Sequence, residues 1–181
     1  MRQKRLILGV SGTILLGAAF ALAQSSPQDK SKRPSPHDST EITLKGKKIT
    51  IEYGRPFLKG RKVGQELAPY GKVWRTGADE ATTFTTEIDL NIGGTKVPAG
   101  KYTLYTLPSD GTWKLIINKQ TGQWGTHYDE SEDLARIDMQ KAALPQTVEQ
   151  FTISFDKKNE NTADLNLEWE NTRVWVVVKA E

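Results

Sequence analysis

Lys101-Tyr102-Thr103-Leu104-Tyr105-Thr106-Leu107-Pro108 is the stretch on which the fold turns. Side chains alternate across a strand, so Tyr102, Leu104 and Thr106 face one way and Thr103, Tyr105 and Leu107 the other. Turn residues bound it, with Pro98-Ala99-Gly100 before and Ser109-Asp110-Gly111 after, and Trp113–Asn118 resumes the pattern. Upstream, Thr82–Leu90 and Thr95–Val97 flank Asn91-Ile92-Gly93-Gly94. Further upstream, Ile42 and Leu44 alternate with polar neighbours, Gly46-Lys47 turns the chain, and Ile49, Ile51 and Tyr53 form the second arm of a hairpin. Downstream come Leu134–Met139, then Val148–Phe155 with Phe151, Ile153 and Phe155 on one face. Ala163–Trp169 and Arg173–Val178 follow, the latter aligning Val174, Val176 and Val178. Short helical turns are expected only near Gly64–Leu67 and Gln140–Leu144. Roughly ten strands in about 140 residues are too many for one open layer, so an all-β antiparallel two-sheet β-sandwich with one long irregular loop is expected.

The N-terminal end has a different character. Arg2, Lys4 and Arg5 precede an uncharged run from Leu6 to Ala23 that closes with Ala21-Leu22-Ala23. A basic start, an apolar stretch and a small-x-small site predict a secretory signal peptide over residues 1–23 and a periplasmic or secreted protein. Kept in place, the run would be an anchor at the lower limit of bilayer-spanning length, but Gly9, Ser11, Gly12, Thr13 and Gly17 dilute it. Residues 24–40, QSSPQDKSKRPSPHDST, contain three prolines and no aliphatic side chain. Such a segment buries too little apolar area to offset its ordering entropy and is expected to be a disordered tether. A single β-sandwich domain over 41–181 remains.

Charge follows the same division. The chain has 25 Lys+Arg against 22 Asp+Glu, and loss of Arg2, Lys4 and Arg5 with the leader leaves equal numbers. Neither nucleic-acid binding by bulk charge nor stable membrane insertion after cleavage is expected. The neutral remainder is uneven, with residues 24–80 carrying a net +5 and residues 81–181 a net −5. The two parts are expected to attract each other.

The chain contains no cysteine, which removes thiol nucleophiles, thiolate metal sites and a lipid-modified cysteine, and leaves core packing to hold the domain together. It has two histidines. His37 lies in the Pro/Ser-rich stretch, so His127 is expected to be the only imidazole of the folded domain, and a multi-histidine zinc site is excluded. No serine lies in a Gly-x-Ser-x-Gly elbow and no glycine loop suited to phosphate opens a helix, so no cofactor is expected. An acidic cluster around His127, Asp129, Glu130, Glu132 and Asp133 lacks the ordered Asp/Asn–Gly pattern of a calcium loop and reads as a solvated turn, with no metal expected.

One segment looks like a site. Tyr53–Thr83, YGRPFLKGRKVGQELAPYGKVWRTGADEATT, is long, irregular and rich in polar groups, yet Phe57, Leu58, Val63, Leu67, Tyr70, Val73 and Trp74 anchor it. Arg55, Arg61 and Arg75 supply planar forks suited to carboxylate or phosphate, Asp79 and Glu80 supply acceptors, and Gly77 is expected to relieve strain in the turn after Trp74-Arg75.

Ile49–Pro56, Lys59-Gly60-Arg61, the Pro69–Thr83 run with WRTGADEATT, Pro98–Tyr102, Ile117-Asn118-Lys119, Trp124-Gly125, Tyr128-Asp129 and Asp133–Arg136 together resemble the bacterial domain of unknown function 2911 family. The resemblance covers roughly residue 35 to the C-terminus. It implies an exported protein with no established activity, and lends no catalytic residue. The family usually carries Asn at the position of Asp79, which makes Glu80 the better carboxylate candidate.

The leading functional expectation is a noncatalytic binding or structural module. Its candidate site for a glycan or another small polar ligand comprises Tyr53, Arg55, Arg61, Trp74, Arg75 and Glu80, with Trp124, His127 and Tyr128 nearby. Against it stands an internal explanation: Trp74 in the core, and an Arg75–Glu80 ion pair bracketing the Gly77 turn. The alternative is a glycosidase-like hydrolase using Glu80 with a second carboxylate. Asp79 and Glu80 are adjacent and on an extended strand would point to opposite faces, so the partner is expected among Asp129, Glu130, Glu132 and Asp133, with His127 and Asp129 as a further acid–base pair. Trp113, Trp169 and Trp175 read as strand packing, with Trp175 turned to the opposite surface from Val174 and Val176.

Overall fold

A computed structural model describes residues 33–181. The leader and residues 24–32 of the expected tether lie outside the described residues. Ten strands form two antiparallel sheets: β1 (His37–Leu44), β2 (Lys47–Gly54), β3 (Thr82–Thr86), β4 (Leu90–Ile92), β5 (Thr95–Val97), β6 (Gly100–Leu107), β7 (Lys114–Asn118), β8 (Asp133–Asp138), β9 (Gln140–Lys157) and β10 (Thr162–Ala180). The larger sheet runs β1-β2-β3-β6-β7-β8 and the smaller β5-β4-β10-β9, as an all-β sandwich requires. Facing side chains fill the space between them, with Leu44, Ile49, Ile51, Phe84, Leu104, Leu115 and Ile117 from one sheet and Leu90, Ile92, Phe151, Ile153, Leu165 and Val176 from the other. A smaller cluster of Ala81, Tyr105 and Ile116 lies apart from this core, covered by Val73, Leu107 and Tyr128.

Three boundaries differ from expectation, each for a backbone reason. His37–Thr40, expected as tether, belong to β1, because His37 pairs with Gly54 and the register continues to Leu44 opposite Lys47. Ladder bonds order these residues without apolar side chains to bury. The hairpin turn falls at Lys45-Gly46, both at positive φ (48° and 71°), one residue before the expected Gly46-Lys47 and in the handedness that two-residue hairpins favour. Gln140–Leu144 is strand rather than helical turn, paired to the far half of β10.

The expected strands at Ala163–Trp169 and Arg173–Val178 are one element, β10, bent by register shifts around Glu170, whose φ is 54°. A bulge turns a side chain away from the regular alternation. Here it sends the Glu170 carboxylate to Lys62 Nζ (2.9 Å) and to the Val63 amide (3.0 Å), pinning the irregular loop to the sheet. That pair is the only ion pair among the described residues that crosses the charge division after Glu80, so direct pairing joins the two oppositely charged parts at a single point. Loop residues also cover the edge of β9: Phe57 bridges Gln150, the Leu58 amide donates to the Glu149 carbonyl (2.9 Å) and the Phe151 amide to the Pro56 carbonyl (2.9 Å).

Candidate functional site

The 75–80 turn is built by close backbone packing. Its positive φ values fall on Thr76 (54°) and Asp79 (63°), not on Gly77. Asp tolerates this left-handed region better than most other side chains, which suits it to position 79. Gly77 is needed for proximity instead of strain relief: a Cβ there would meet Thr82 Oγ1 at 2.8 Å and the Gly54 carbonyl oxygen at 3.0 Å. Gly54 answers it from the end of β2, where a Cβ would fall 2.3 Å from the Ala78 oxygen. The Ala78 amide donates to the Gly54 carbonyl (3.2 Å), and Thr82 Oγ1 donates to the Thr76 carbonyl (2.8 Å). Beneath the turn Trp124 bridges Glu80, and the Gly125 amide donates to the Asp79 carbonyl (3.1 Å). Gly125 has no room for a side chain because Arg75 Cδ would lie 2.1 Å from its Cβ. Sequence motifs far apart in the chain, Tyr53-Gly54, Thr76-Gly77-Ala78 and Trp124-Gly125, thus assemble one turn.

Two polar regions flank it. On one side is a cleft of about 430 Å³ lined by Trp74, Arg75, Asp79, Lys59, Arg61 and Trp169 among others. Trp74 forms part of its wall, stacked on Trp169 (5.4 Å between ring centres, 17°) and edge-on to Phe151 (4.9 Å). Arg75 is partly buried, and among the described residues its guanidinium makes no hydrogen bond or ion pair; its Nε is shielded from solvent. The expected Arg75–Glu80 pair does not form. A buried donor left without an acceptor costs about 1–3 kcal/mol, so the internal explanation for Arg75 fails on its own terms.

Glu80 looks the other way. Its Oε1 takes Arg33 Nη2 at 2.5 Å, and its Oε2 lies 3.1 Å from His37 Nε2. Asp79 Oδ2 is 3.8 Å from the same nitrogen. The two adjacent carboxylates therefore converge instead of diverging, because Asp79 is left-handed and not extended. His37 Nε2, Asp79 Oδ2 and Glu80 Oε2 are all shielded from solvent and lack a hydrogen bond. His37, and not His127, is the imidazole at the carboxylates. Assigning residues 24–40 to a tether hid it. No group of three or more His, Asp or Glu suited to holding a metal ion is present among the described residues.

The remaining candidates separate. Tyr53 is a strut: its hydroxyl donates to the Ile153 carbonyl (3.3 Å) and accepts from the Ile153 amide (2.9 Å), joining the two sheets. Burial pushes its pKa up, partly offset by the Ile153 bond and by Arg55. Arg55 is engaged through all three nitrogens, with Nε to the Phe151 carbonyl (3.1 Å), Nη1 to Asp38 (2.9 Å) and Nη2 to Thr152 Oγ1 (2.8 Å). Arg61 caps its own loop through the Leu58 and Phe57 carbonyls, at the cleft rim. Trp124 is 40% exposed with Arg33 over its ring at 5.2 Å. His127 is exposed and lines neither region; its backbone carbonyl accepts from Tyr105 (3.4 Å).

The acidic turn is internally employed. Asp133 accepts from Tyr128 (2.6 Å), Arg136 (2.8 Å) and Asn118 (2.8 Å), while Glu130 pairs with Arg136 and Glu132 with Lys119. Burial, then the Asp133 carboxylate, pushes the Tyr128 pKa up. These acids do not reach Glu80 as its second carboxylate. Trp175 lies under Arg173 (5.1 Å), half covered on its own surface.

The chain is thus a two-sheet β-sandwich whose long loop separates an unpaired arginine from a pair of converging carboxylates. A family model described as a protein of unknown function, DUF2911, matches residues 35–178, and the chain belongs to that family. No match was found among curated proteins or among solved structures.

Proposed function

We propose that the chain is an exported, noncatalytic binding module that holds a small polar ligand bearing an acidic group, such as an acidic sugar, in the Trp74–Arg75 cleft. Export rests on the leader pattern of residues 1–23. Binding rests on one observation: Arg75 lines a cleft of about 430 Å³ with its guanidinium unpaired among the described residues. An arginine fork presents parallel donors to a carboxylate, Lys59 and Arg61 with Arg75 outnumber Glu66 and Asp79 in the lining, and Trp74 offers an aromatic wall. A thermal-shift screen against uronic acids, peptidoglycan fragments and small carboxylates tests this. Saturable stabilisation of the wild type that is absent in Arg75→Ala supports the assignment; equal shifts in both proteins overturn it. N-terminal sequencing of protein recovered outside the cytoplasm tests export, with Gln24 expected as the first residue.

A hydrolase is the second reading, favoured by the convergence of Asp79 and Glu80 on His37. Such an enzyme needs one carboxyl group free to give a proton to the leaving oxygen. Glu80 is instead held by Arg33, and activity would require that segment to move. Turnover of chromogenic glycosides by the wild type and not by Glu80→Gln would establish it.

A further inference from the structure

The second polar region has a chemistry of its own. Arg33 places its guanidinium over the exposed Trp124 ring at 5.2 Å and ion-pairs with Glu80. An aromatic face beside a carboxylate is what a planar cation binds best, by ring attraction and charge-assisted hydrogen bonding together. The receptor is rigid: Trp124 is bridged to Glu80 on the backbone, and the Gly125 amide fixes the Asp79 carbonyl. It also has spare acceptor capacity, since Asp79 Oδ2 and Glu80 Oε2 are shielded without a hydrogen bond.

Its occupant is held there through its side chain. Arg55 donates its backbone amide to the Pro36 carbonyl (2.7 Å), where β1 begins to be held. Ahead of that point, among the described residues, the strap 33–35 makes no backbone hydrogen bond to the domain. Pro34 and Ser35 lie along the Arg75 cleft, so the strap passes from one region to the other.

We propose that Trp124, Asp79 and Glu80 form a guanidinium-binding site, filled here by Arg33 of the same chain, that takes an arginine side chain from an extended peptide partner when the strap lifts. This site shares Asp79 and the strap with the Arg75 cleft, but its ligand-binding groups, Trp124 and Glu80, do not line that cleft. Arg33 acts as a tethered competitor at millimolar effective concentration, which masks the site in the resting protein.

The test uses the full-length chain carrying Arg33→Ala, with N-acetyl-arginine amide as the probe, titrated by calorimetry and by tryptophan fluorescence. N-acetyl-lysine amide and N-acetyl-citrulline amide are the controls for shape and charge. Saturable binding of the arginine probe is expected in Arg33→Ala, at least about tenfold weaker in wild type because of the tethered competitor, and lost in Arg33→Ala/Glu80→Gln. Citrulline, which keeps the shape and lacks the charge, is expected not to bind. Arg33→Gln serves as a second emptied variant, and unchanged near-UV circular dichroism establishes that each variant is folded. Binding that is no stronger in the two emptied variants than in wild type overturns the proposal, as does binding that survives Glu80→Gln. Retained arginine binding in Arg33→Ala/Arg75→Ala separates this site from the acid-binding cleft, so failure of either leaves the other standing.

Discussion

Arg55 and Arg75 lie in the same irregular loop, both partly buried, and they do opposite things. Arg55 uses all three nitrogens to tie β1 to β9, whereas Arg75 lines a cleft with none of its donors engaged by the protein. A guanidinium bonded through every nitrogen is held in place by the protein and presents no free fork to a ligand. One whose Nε is shielded and unpaired keeps a deficit at that nitrogen that a ligand can relieve. The comparison separates architecture from site within a single motif, and substitution can break it.

The largest effect is expected where both regions depend on one contact. Gly54→Ala would place a Cβ 2.3 Å from the Ala78 carbonyl oxygen, a backbone atom that cannot turn aside. The loop and β2 must separate, and a loss of about 3 kcal/mol is expected in urea unfolding, together with loss of acid-ligand binding. Near-wild-type stability would mean that the turn is more yielding than this packing implies.

Next comes the direct contrast. Arg55→Ala strips the Phe151 carbonyl, Asp38 and Thr152 of their partner at once, and a destabilisation of about 2 kcal/mol is expected with binding retained in the folded fraction. Arg75→Ala removes no protein hydrogen bond, so stability is expected to stay within about 0.5 kcal/mol of wild type, or to rise, while the acid ligand's thermal shift disappears. Equal destabilisation by the two substitutions would erase the distinction.

The sandwich was legible because alternation and turn residues are local properties: β5 at Thr95–Val97 falls where alternation puts it, and β6 and β7 fall within a residue of expectation. What lay beyond reach was set by pairing at a distance. His37–Thr40 have no apolar alternation, and only the β2 ladder makes them a strand. Hydrophobic pattern also breaks β10 into two, because a bulge interrupts alternation without ending the strand. At the site, residue types identified the loop and its arginines but not their partners. Arg55, Arg61 and Arg75 look alike in sequence, and the assumption that Arg75 needs the nearest carboxylate misassigned Glu80. A His between Pro36 and Asp38, five residues after Lys32, carried no local signal that it would meet Asp79 and Glu80.

Tyr53 sharpens the architectural side of the contrast. Tyr53→Phe leaves the Ile153 amide and carbonyl without their side-chain partner, for an expected loss of about 1 kcal/mol. The hydroxyl's pKa is raised in the fold from 10.0, chiefly by burial, so its contribution is fully present below pH 10 and lost as pH rises through the folded value. Arg55 opposes that rise, and removing it raises the folded pKa further. The alkaline loss of stability is therefore expected to be steeper in Arg55→Ala than in wild type and shallower in Tyr53→Phe, measured as unfolding midpoints between pH 9 and about 11. Arg75→Ala is expected to leave that slope unchanged. A parallel change there would couple the two regions.

Arg61 stands between the two arginines and gives the smallest and most discriminating effect. Its bonds to the Leu58 and Phe57 carbonyls are local and solvent-accessible, so Arg61→Ala is expected to cost about 0.5 kcal/mol in unfolding. It also lines the cleft, and its charge is felt there across water instead of through direct pairing. Arg61→Ala is therefore expected to weaken acid-ligand binding severalfold at low salt and to match wild type at high salt, where screening removes its field. Arg75→Ala is expected to abolish binding at both ionic strengths, because a direct hydrogen-bonded contact to a partly buried guanidinium is screened less than a charge acting across water. Salt-independent loss in Arg61→Ala would move the ligand's acidic group from the Arg75 wall to the rim. The unpaired state of Arg75 would then no longer mark the binding position.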